Sequence, residues 1–104
     1  MDIRAYIETE TGLPTAEVVF TKPQKLPFII ILDNTESDGD DFHTRTIAHD
    51  LAVEFYAERI RAEVEAKIEA ALEKQGWKYT KDRTWLNGEK MFETIYTTNF
   101  TEKR

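Results

Sequence analysis

Apolar residues recur at a helical period between residues 58 and 75. The repeat falls every four residues, which places its members on one helical face, and the opposite face carries charge pairs such as Arg61 with Glu65. The members of the repeat are Ile60, Val64, Ile68 and Leu72, with Ala71 beside them. Gly76 follows the last of them, and glycine is the residue that most often ends a helix. The pattern predicts one long amphipathic helix over about 58–75.

A shorter helix is predicted at the start of the chain. Ile3, Tyr6 and Ile7 share one helical face, and Asp2 before them is a favoured N-cap residue. Gly12 and Pro14 then stop the helical pattern. The expected helix covers about 2–11.

Between the two helices the pattern changes to short apolar runs that indicate strands. Residues 17–20 are short and β-branched, and residues 28–33 form an apolar run that we expect to be buried on both faces. Residues 21–27 contain two prolines, which cannot donate ladder bonds, so we expect a connector there. Residues 34–41 hold four acids, one glycine and no apolar side chain, and this composition predicts an exposed loop.

The apolar residues between positions 43 and 57 fit both the spacing of a helix and that of a strand. Ile47, Leu51 and Phe55 fit a helix, and together with Val53 they fit one face of a strand almost equally well. The many β-branched and aromatic residues of this stretch favour the strand. A strand of about 14 residues reaches roughly 45 Å, whereas the mean strand has only about five or six residues. We therefore expect its far end to leave the core and to form an arm with the preceding strand.

The C-terminal third predicts a β-hairpin. Trp77, Tyr79 and Trp85 mark its first strand, and Asn87-Gly88 is a strong turn signal. Residues 101–104 are expected to fray. The second strand alternates on one face through Phe92, Thr94, Tyr96, Thr98 and Phe100.

These elements predict a single α+β domain over residues 1–104. We expect a mixed or antiparallel sheet of about four to five strands with a long protruding hairpin. The helix at about 58–75 and the helix at about 2–11 would pack on the sheet.

Composition excludes several classes of protein. The chain contains no cysteine, so it can form neither a disulfide scaffold nor a thiolate metal site. No apolar run approaches the roughly 20 residues that cross a bilayer, and the acidic N-terminal segment lacks a signal-peptide core, so we expect the product to stay in the cytoplasm where it is made. A net charge of −6 disfavours direct binding to a phosphate backbone.

The acidic residues near the middle of the chain could supply oxygen ligands to a hard cation. Their spacing does not match a calcium loop, because position 12 counted from Asp33 is Thr44 where a glutamate is required. We therefore predict solvated carboxylates and no metal site. The residues concerned are Asp33, Glu36, Asp38, Asp40 and Asp41.

His43, His49 and Asp50 form the only grouping of histidine and carboxylate visible in the sequence. On a strand His49 and Asp50 point to opposite faces, and His43 lies about 20 Å from His49, so they cannot act together as a catalytic pair. No nucleophile elbow, phosphate-binding loop or zinc-binding helix motif is present. We predict that the protein is not an enzyme and uses no cofactor.

The aromatic residues of the C-terminal hairpin could stack the bases of a single-stranded nucleic acid. Asp82, Glu89 and Glu93 dilute the lysines around them, so packing in the core is the favoured interpretation. The class of function that remains is assembly with other proteins, because strand edges and a protruding loop are natural contact elements. The predicted partner-binding residues are Asp38, Asp40, Asp41, Phe42 and His43.

Several stretches follow one another in an order that is typical of one family. They are residues 3–7 leading into Thr11-Gly12-Leu13-Pro14, the proline-flanked residues 26–31, residues 50–57 running into 66–72, then 76–81 and 90–96. In this order the chain resembles the small tail terminator, or tail completion, proteins of long-tailed bacteriophages. Residues 34–41 are more acidic, and the turn at Asn87-Gly88 is tighter, than this family leads one to expect.

The resemblance implies a structural role in the virion neck. Such proteins cap the tail tube, commonly as a hexameric ring, and join it to the head completion or connector protein. The oligomeric state of the free protein stays open, with a monomer as one alternative. The implied partners are therefore further copies of the chain, the major tail tube protein and the connector, with DNA passing through the lumen and no membrane. An acidic lumen would repel the DNA phosphates.

Two other interpretations remain open from the residues themselves. One is a small acidic cytoplasmic module that sequesters or inhibits a basic protein partner by mimicking nucleic acid. The other is a small enzyme that uses Asp50 or His43.

Overall fold

Five strands form one mixed sheet, and two helices pack on one of its faces. The computed structural model describes residues 1–39 and 44–103. The sheet order is β1-β2-β3-β5-β4, in which β1 runs parallel to β2 and all other neighbours are antiparallel. The elements are α1 (Ile3–Thr11), β1 (Thr15–Glu17), β2 (Phe28–Gly39), β3 (Thr44–Ala57), α2 (Ala62–Lys74), β4 (Tyr79–Leu86) and β5 (Met91–Lys103). The predicted α+β fold is confirmed.

The core lies between the helices and the face of the sheet that they cover, which we call the helix face. Alternate residues of β2 and β3 are buried there, among them Ile29, Ile31, Val53 and Phe55. On β5 the predicted alternation is confirmed, because Thr94, Tyr96 and Thr98 are buried and pair with buried residues of β3. Within residues 1–39 and 44–103, no helix covers the second face of the sheet.

The N-terminal helix forms as its sequence signals indicate. The Asp2 carboxylate accepts a hydrogen bond from the Ala5 N–H at 3.1 Å and caps the first turn. Gly12 adopts a φ of +74°, and its N–H donates to the Glu8 carbonyl at 2.8 Å. Ile3 and Ile7 are buried.

The long helix begins four residues later than predicted. Residues 58–61 connect the end of β3 to α2, because the chain must leave the sheet before it can enter the helix layer. Ile60 belongs to this connection and is 48 % exposed, so its assignment to the buried face is wrong. Val64, Ile68, Ala71 and Leu72 are buried as predicted.

The first strand is also displaced. It covers Thr15–Glu17 rather than residues 17–20, because Val18 has a φ of +66° and the Val19 N–H donates to the Glu17 carbonyl at 2.7 Å. These values describe a tight three-residue turn, which ends the strand in spite of the β-branched side chains. Val18 and Val19 are both exposed.

The acidic segment is a strand over the part that the structure describes, so the prediction of a loop is wrong for residues 34–39. The pairs Asn34 with Asp50 and Ser37 with Ile47 continue the β2–β3 ladder. Hydrogen bonds between the backbones of β2 and β3 hold this part of the strand in place. Polar side chains are compatible with it because both faces of the sheet are exposed to solvent there. The prediction that residues 28–33 are buried on both faces is wrong as well, since Phe28, Ile30 and Leu32 are only half-buried on the face without helices.

The C-terminal hairpin is confirmed with three differences. Trp77 lies before β4, not within it, and the positive φ of the connection between β4 and β5 lies at Lys90 rather than Gly88. Residues 101–103 do not fray, because they pair with residues 46–48 of β3. Among the described residues, neither helix has the length and apolar character that a membrane-spanning helix needs.

Candidate assembly interface

The distal halves of β2 and β3 form the predicted arm. The 14 residues of β3 are one continuous strand, as predicted, and β5 accompanies it to the pair Thr46 with Lys103. Residues 34–39 of β2 are all exposed, which shows that this end of the sheet lies beyond the helices. The molecule is correspondingly elongated, with principal extents of 49 × 28 × 23 Å.

Only one of the predicted partner-binding residues can be located. Asp38 lies on the arm, is exposed, and pairs in register with Thr46. Asp40, Asp41, Phe42 and His43 lie outside the described residues.

His49 fastens the root of the arm across three strands. Its Nδ1 lies 2.9 Å from a carboxylate oxygen of Asp33 on β2, and its Nε2 lies 3.1 Å from Glu102 on β5. The imidazole also stacks on Phe100, which stacks in turn on Trp77, with ring centroids 4.3 and 4.1 Å apart. The hydrogen bond from His49 lowers the pKa of the Glu102 carboxyl, with a further contribution from the chain's amino terminus. The helix face of the arm root is therefore held by aromatic stacking and polar contacts together.

His49 and Asp50 lie on opposite faces of β3, as predicted. Sequence reasoning missed the true carboxylate partners of His49, because they are distant in sequence and adjacent only through strand register. Asp33 lies on the helix face whereas Glu36 and Asp38 lie on the other face, so these three acids do not converge. Within the described ranges no group of three or more His, Asp and Glu side chains could hold a metal ion.

The face without helices, which we call the open face, is strongly acidic. Alternation along the paired strands assigns its members. Among the strand residues whose side chains are described, this face carries six carboxylates and one lysine: Glu36, Asp38, Asp50, Glu54, Asp82, Glu93 and Lys103. Negative charge is therefore concentrated on one side of the protein.

A shallow polar trough crosses the open face of the arm. Its volume is about 660 Å³, and small Ala48 on the central strand leaves the space. Glu36, Asp50, Asn34 and Asn99 stand around it. The trough therefore offers carboxylate and carboxamide oxygens to whatever lies over the arm.

The cations of β4 do not form a free basic groove. Lys81 and Arg83 both reach Glu65, whose side chain is only 4 % exposed, with Lys81 Nζ 2.9 Å from the carboxylate. Glu65 therefore faces the sheet and does not pair with Arg61, which binds Glu58 instead. Burial alone would raise the pKa of Glu65, but hydrogen bonds from Arg83 and Lys81 outweigh it and lower that pKa.

The aromatic residues of the hairpin belong to the helix face. Tyr96 is fully buried, and Trp77, Tyr79 and Phe100 pack against the core. The placement of these four agrees with core packing, whereas Trp85 is 44 % exposed and packs edge-on against Phe92.

A solved structure has the same fold. One chain of the virion of a native gene transfer agent particle superimposes with a TM-score of 0.61 at 9 % sequence identity, over 94 % of this chain and 84 % of that chain. No family model matches the chain, and no curated protein is similar enough in sequence to match it. At this identity the likeness shows a shared fold.

Proposed function

We propose that this chain is a structural protein of a phage-like virion that caps the tail tube and joins it to the head connector. The observation that carries the proposal is the fold, which is shared over nearly the whole chain with a component of a gene transfer agent virion. The segment order that resembles tail terminators supports the same role.

The architecture suits a steric and interfacial mechanism. An arm of paired strands extends from a small helix-backed body and offers an exposed, acidic end to a neighbour. In the proposed assembly several copies form a ring, hexameric in the related family, around a channel for DNA. A net charge of −6 per copy disfavours adhesion of the DNA phosphates to the ring.

The arm is the element that we expect to join other virion proteins. Deletion of residues 37–41 removes its end and leaves the core residues in place, so the shortened protein should keep its circular dichroism spectrum and melting temperature. Particles assembled with it should accumulate as unjoined heads and tails in electron micrographs. Normal infectious particles from the deletion would remove the arm from the mechanism.

The acidic open face favours a second candidate function, an inhibitor or binding module for a basic protein. Such a module acts as a monomer or dimer with no affinity for tail tubes. Sedimentation of the protein with purified tubes separates the two functions, because only the tail protein should cosediment.

A further inference from the structure

Two carboxylates on the open face converge on one hydroxyl. Tyr56 Oη lies 3.1 Å from Glu54 Oε1 and 2.7 Å from Glu93 Oε2. A hydroxyl has a single proton, so it can donate to only one of them at a time. Burial, together with these two carboxylates, raises the pKa of Tyr56 above its ordinary value, so the hydroxyl supplies no charge of its own.

The carboxylate pair has no cation to balance it among the side chains described. Among the described side chains, no Lys, Arg or His nitrogen lies within 4.0 Å of the carboxylate oxygens of Glu54 or Glu93. Glu54, Tyr56 and Glu93 are all half-buried, which weakens solvent screening of the two negative charges. A cation supplied from outside would therefore be bound favourably.

An apolar groove lies directly beside this pair. Its volume is about 370 Å³, and Val19, Phe20, Phe28 and Ile30 form its apolar lining. Phe28 packs against Phe20 and Tyr56 with ring centroids 5.4 and 5.3 Å away. Phe28 and Ile30 are the direct strand partners of Tyr56 and Glu54, so the groove and the carboxylates form one continuous surface. Lys22 of the connector also lines the groove.

The same chain carries a matching protrusion. Arg59 and Ile60 stand side by side in the connection between β3 and α2, with Arg59 62 % and Ile60 48 % exposed. Glu58 is the nearest carboxylate to Arg59, at 3.9 Å, and it is already bound by Arg61. An exposed arginine beside an exposed isoleucine complements a carboxylate pair beside an apolar groove.

We propose that Arg59 and Ile60 of one copy dock on the open face of a second copy, with Ile60 in the groove and Arg59 between Glu54 and Glu93. A guanidinium can serve two carboxylates at once through its forked N–H donors, which a single Tyr56 hydroxyl cannot do. Each copy carries both patches. Where the protrusion of one copy docks on the next copy and not reciprocally, the contact is heterologous and repeated copies close into a ring if the rotation permits. The inference rests on the proposed function for its role, since it supplies a contact between ring subunits.

Charge also argues against the alternative in which two open faces meet. That arrangement would bring the six strand carboxylates of one open face against the six of the other, and each set of strand residues contains only one lysine, Lys103. Such like-charge contact costs association energy. The exposed Arg59 protrusion avoids this repulsion.

Cross-linking tests the contact directly, because the chain contains no cysteine of its own. Ile60→Cys and Val19→Cys are prepared as two separate single-cysteine proteins, differently tagged, then mixed and oxidised. We expect the mixed disulfide dimer to exceed both same-variant dimers by more than tenfold, since only the mixed pair meets in the contact. The matched control replaces Val19→Cys by Ala66→Cys, which is exposed on α2. Mixed dimers no more frequent than in this control would overturn the proposal.

A charge exchange supplies a second, independent readout. Arg59→Glu should weaken self-association at least roughly tenfold in sedimentation velocity, because it opposes a third carboxylate to Glu54 and Glu93. Adding Glu93→Arg to that variant should restore association. The control is Lys67→Glu alone, on the outer face of α2, which should associate like the unmodified protein. Unchanged association in Arg59→Glu contradicts the contact. A protein that cross-links as expected but does not bind tail tubes contradicts the proposed function and leaves this contact in place.

Discussion

Glu65 shows how a single side chain joins α2 to the sheet. Its carboxylate is buried and receives Lys81 and Arg83 from β4 and the Thr94 hydroxyl from β5. A neighbouring carboxylate, Glu69, accepts from Tyr96 and pairs with Lys81. Two positive and two negative groups are thus balanced at the boundary between helix and sheet, where an isolated charge would be costly.

Replacing this carboxylate should destabilise the protein. We predict that Glu65→Gln lowers the free energy of unfolding by about 2 kcal/mol at pH 7, since it leaves Arg83 without a carboxylate partner and Lys81 with Glu69 alone. Because the folded state lowers the pKa of Glu65, its contribution is present above the unfolded value of 4.5 and is lost as pH falls through the folded value. Urea unfolding at pH 7 and pH 3 should therefore show a smaller difference between variant and wild type at pH 3. Glu63→Gln, exposed on α2, is the control, and an equal loss from both would contradict the role of Glu65.

Val18 is the second residue with a clear energetic signature. A β-branched residue at a φ of +66° is strained, and glycine adopts that conformation without strain. Val18→Gly removes this strain but adds conformational entropy to the unfolded chain, which opposes folding. The net effect should raise the free energy of unfolding by about 0.5–1 kcal/mol. Thermal unfolding measures the change, and Val19→Gly, also exposed but not at a positive φ, should give no gain. A loss of stability in Val18→Gly would show that the turn is not strained.

The elements were predictable from sequence wherever a periodic pattern or a cap decides the structure. The cap residues Asp2 and Gly12 and the buried face of Ile3 and Ile7 predict α1. For β3 the spacing of apolar residues fits helix and strand alike, and its β-branched and aromatic residues decide for the strand. The distal part of β2 was not predictable, because its residues have loop composition and become a strand only through the ladder offered by β3. The partners of His49 were hidden for the same reason, since strand register brings Asp33 and Glu102 to it.

His49 should determine the rigidity of the arm. His49→Ala removes contacts to both carboxylates and the stack on Phe100, so we expect amides of residues 34–38 and 46–50 to exchange with deuterium at least roughly tenfold faster. Residues 51–57 lie over the buried core and should keep their protection. Mass spectrometry measures both regions, with Asp50→Ala on the open face as control. Unchanged exchange in the arm of His49→Ala would show that its stiffness arises elsewhere.

At the scale of the whole molecule, three features support the proposed role in assembly. One face of the sheet is packed and the other is open and acidic, the arm leaves the body, and the fold matches a chain of a virion particle.

Cryo-electron microscopy of the purified protein mixed with tail tubes tests the central proposal most directly. The tubes should come from the particle whose genome encodes this chain. We predict a single ring of this protein at one end of each tube, with the arms directed toward adjoining proteins and the tube sides bare. Tubes whose ends remain unoccupied at saturating protein concentration would contradict a tail-capping role.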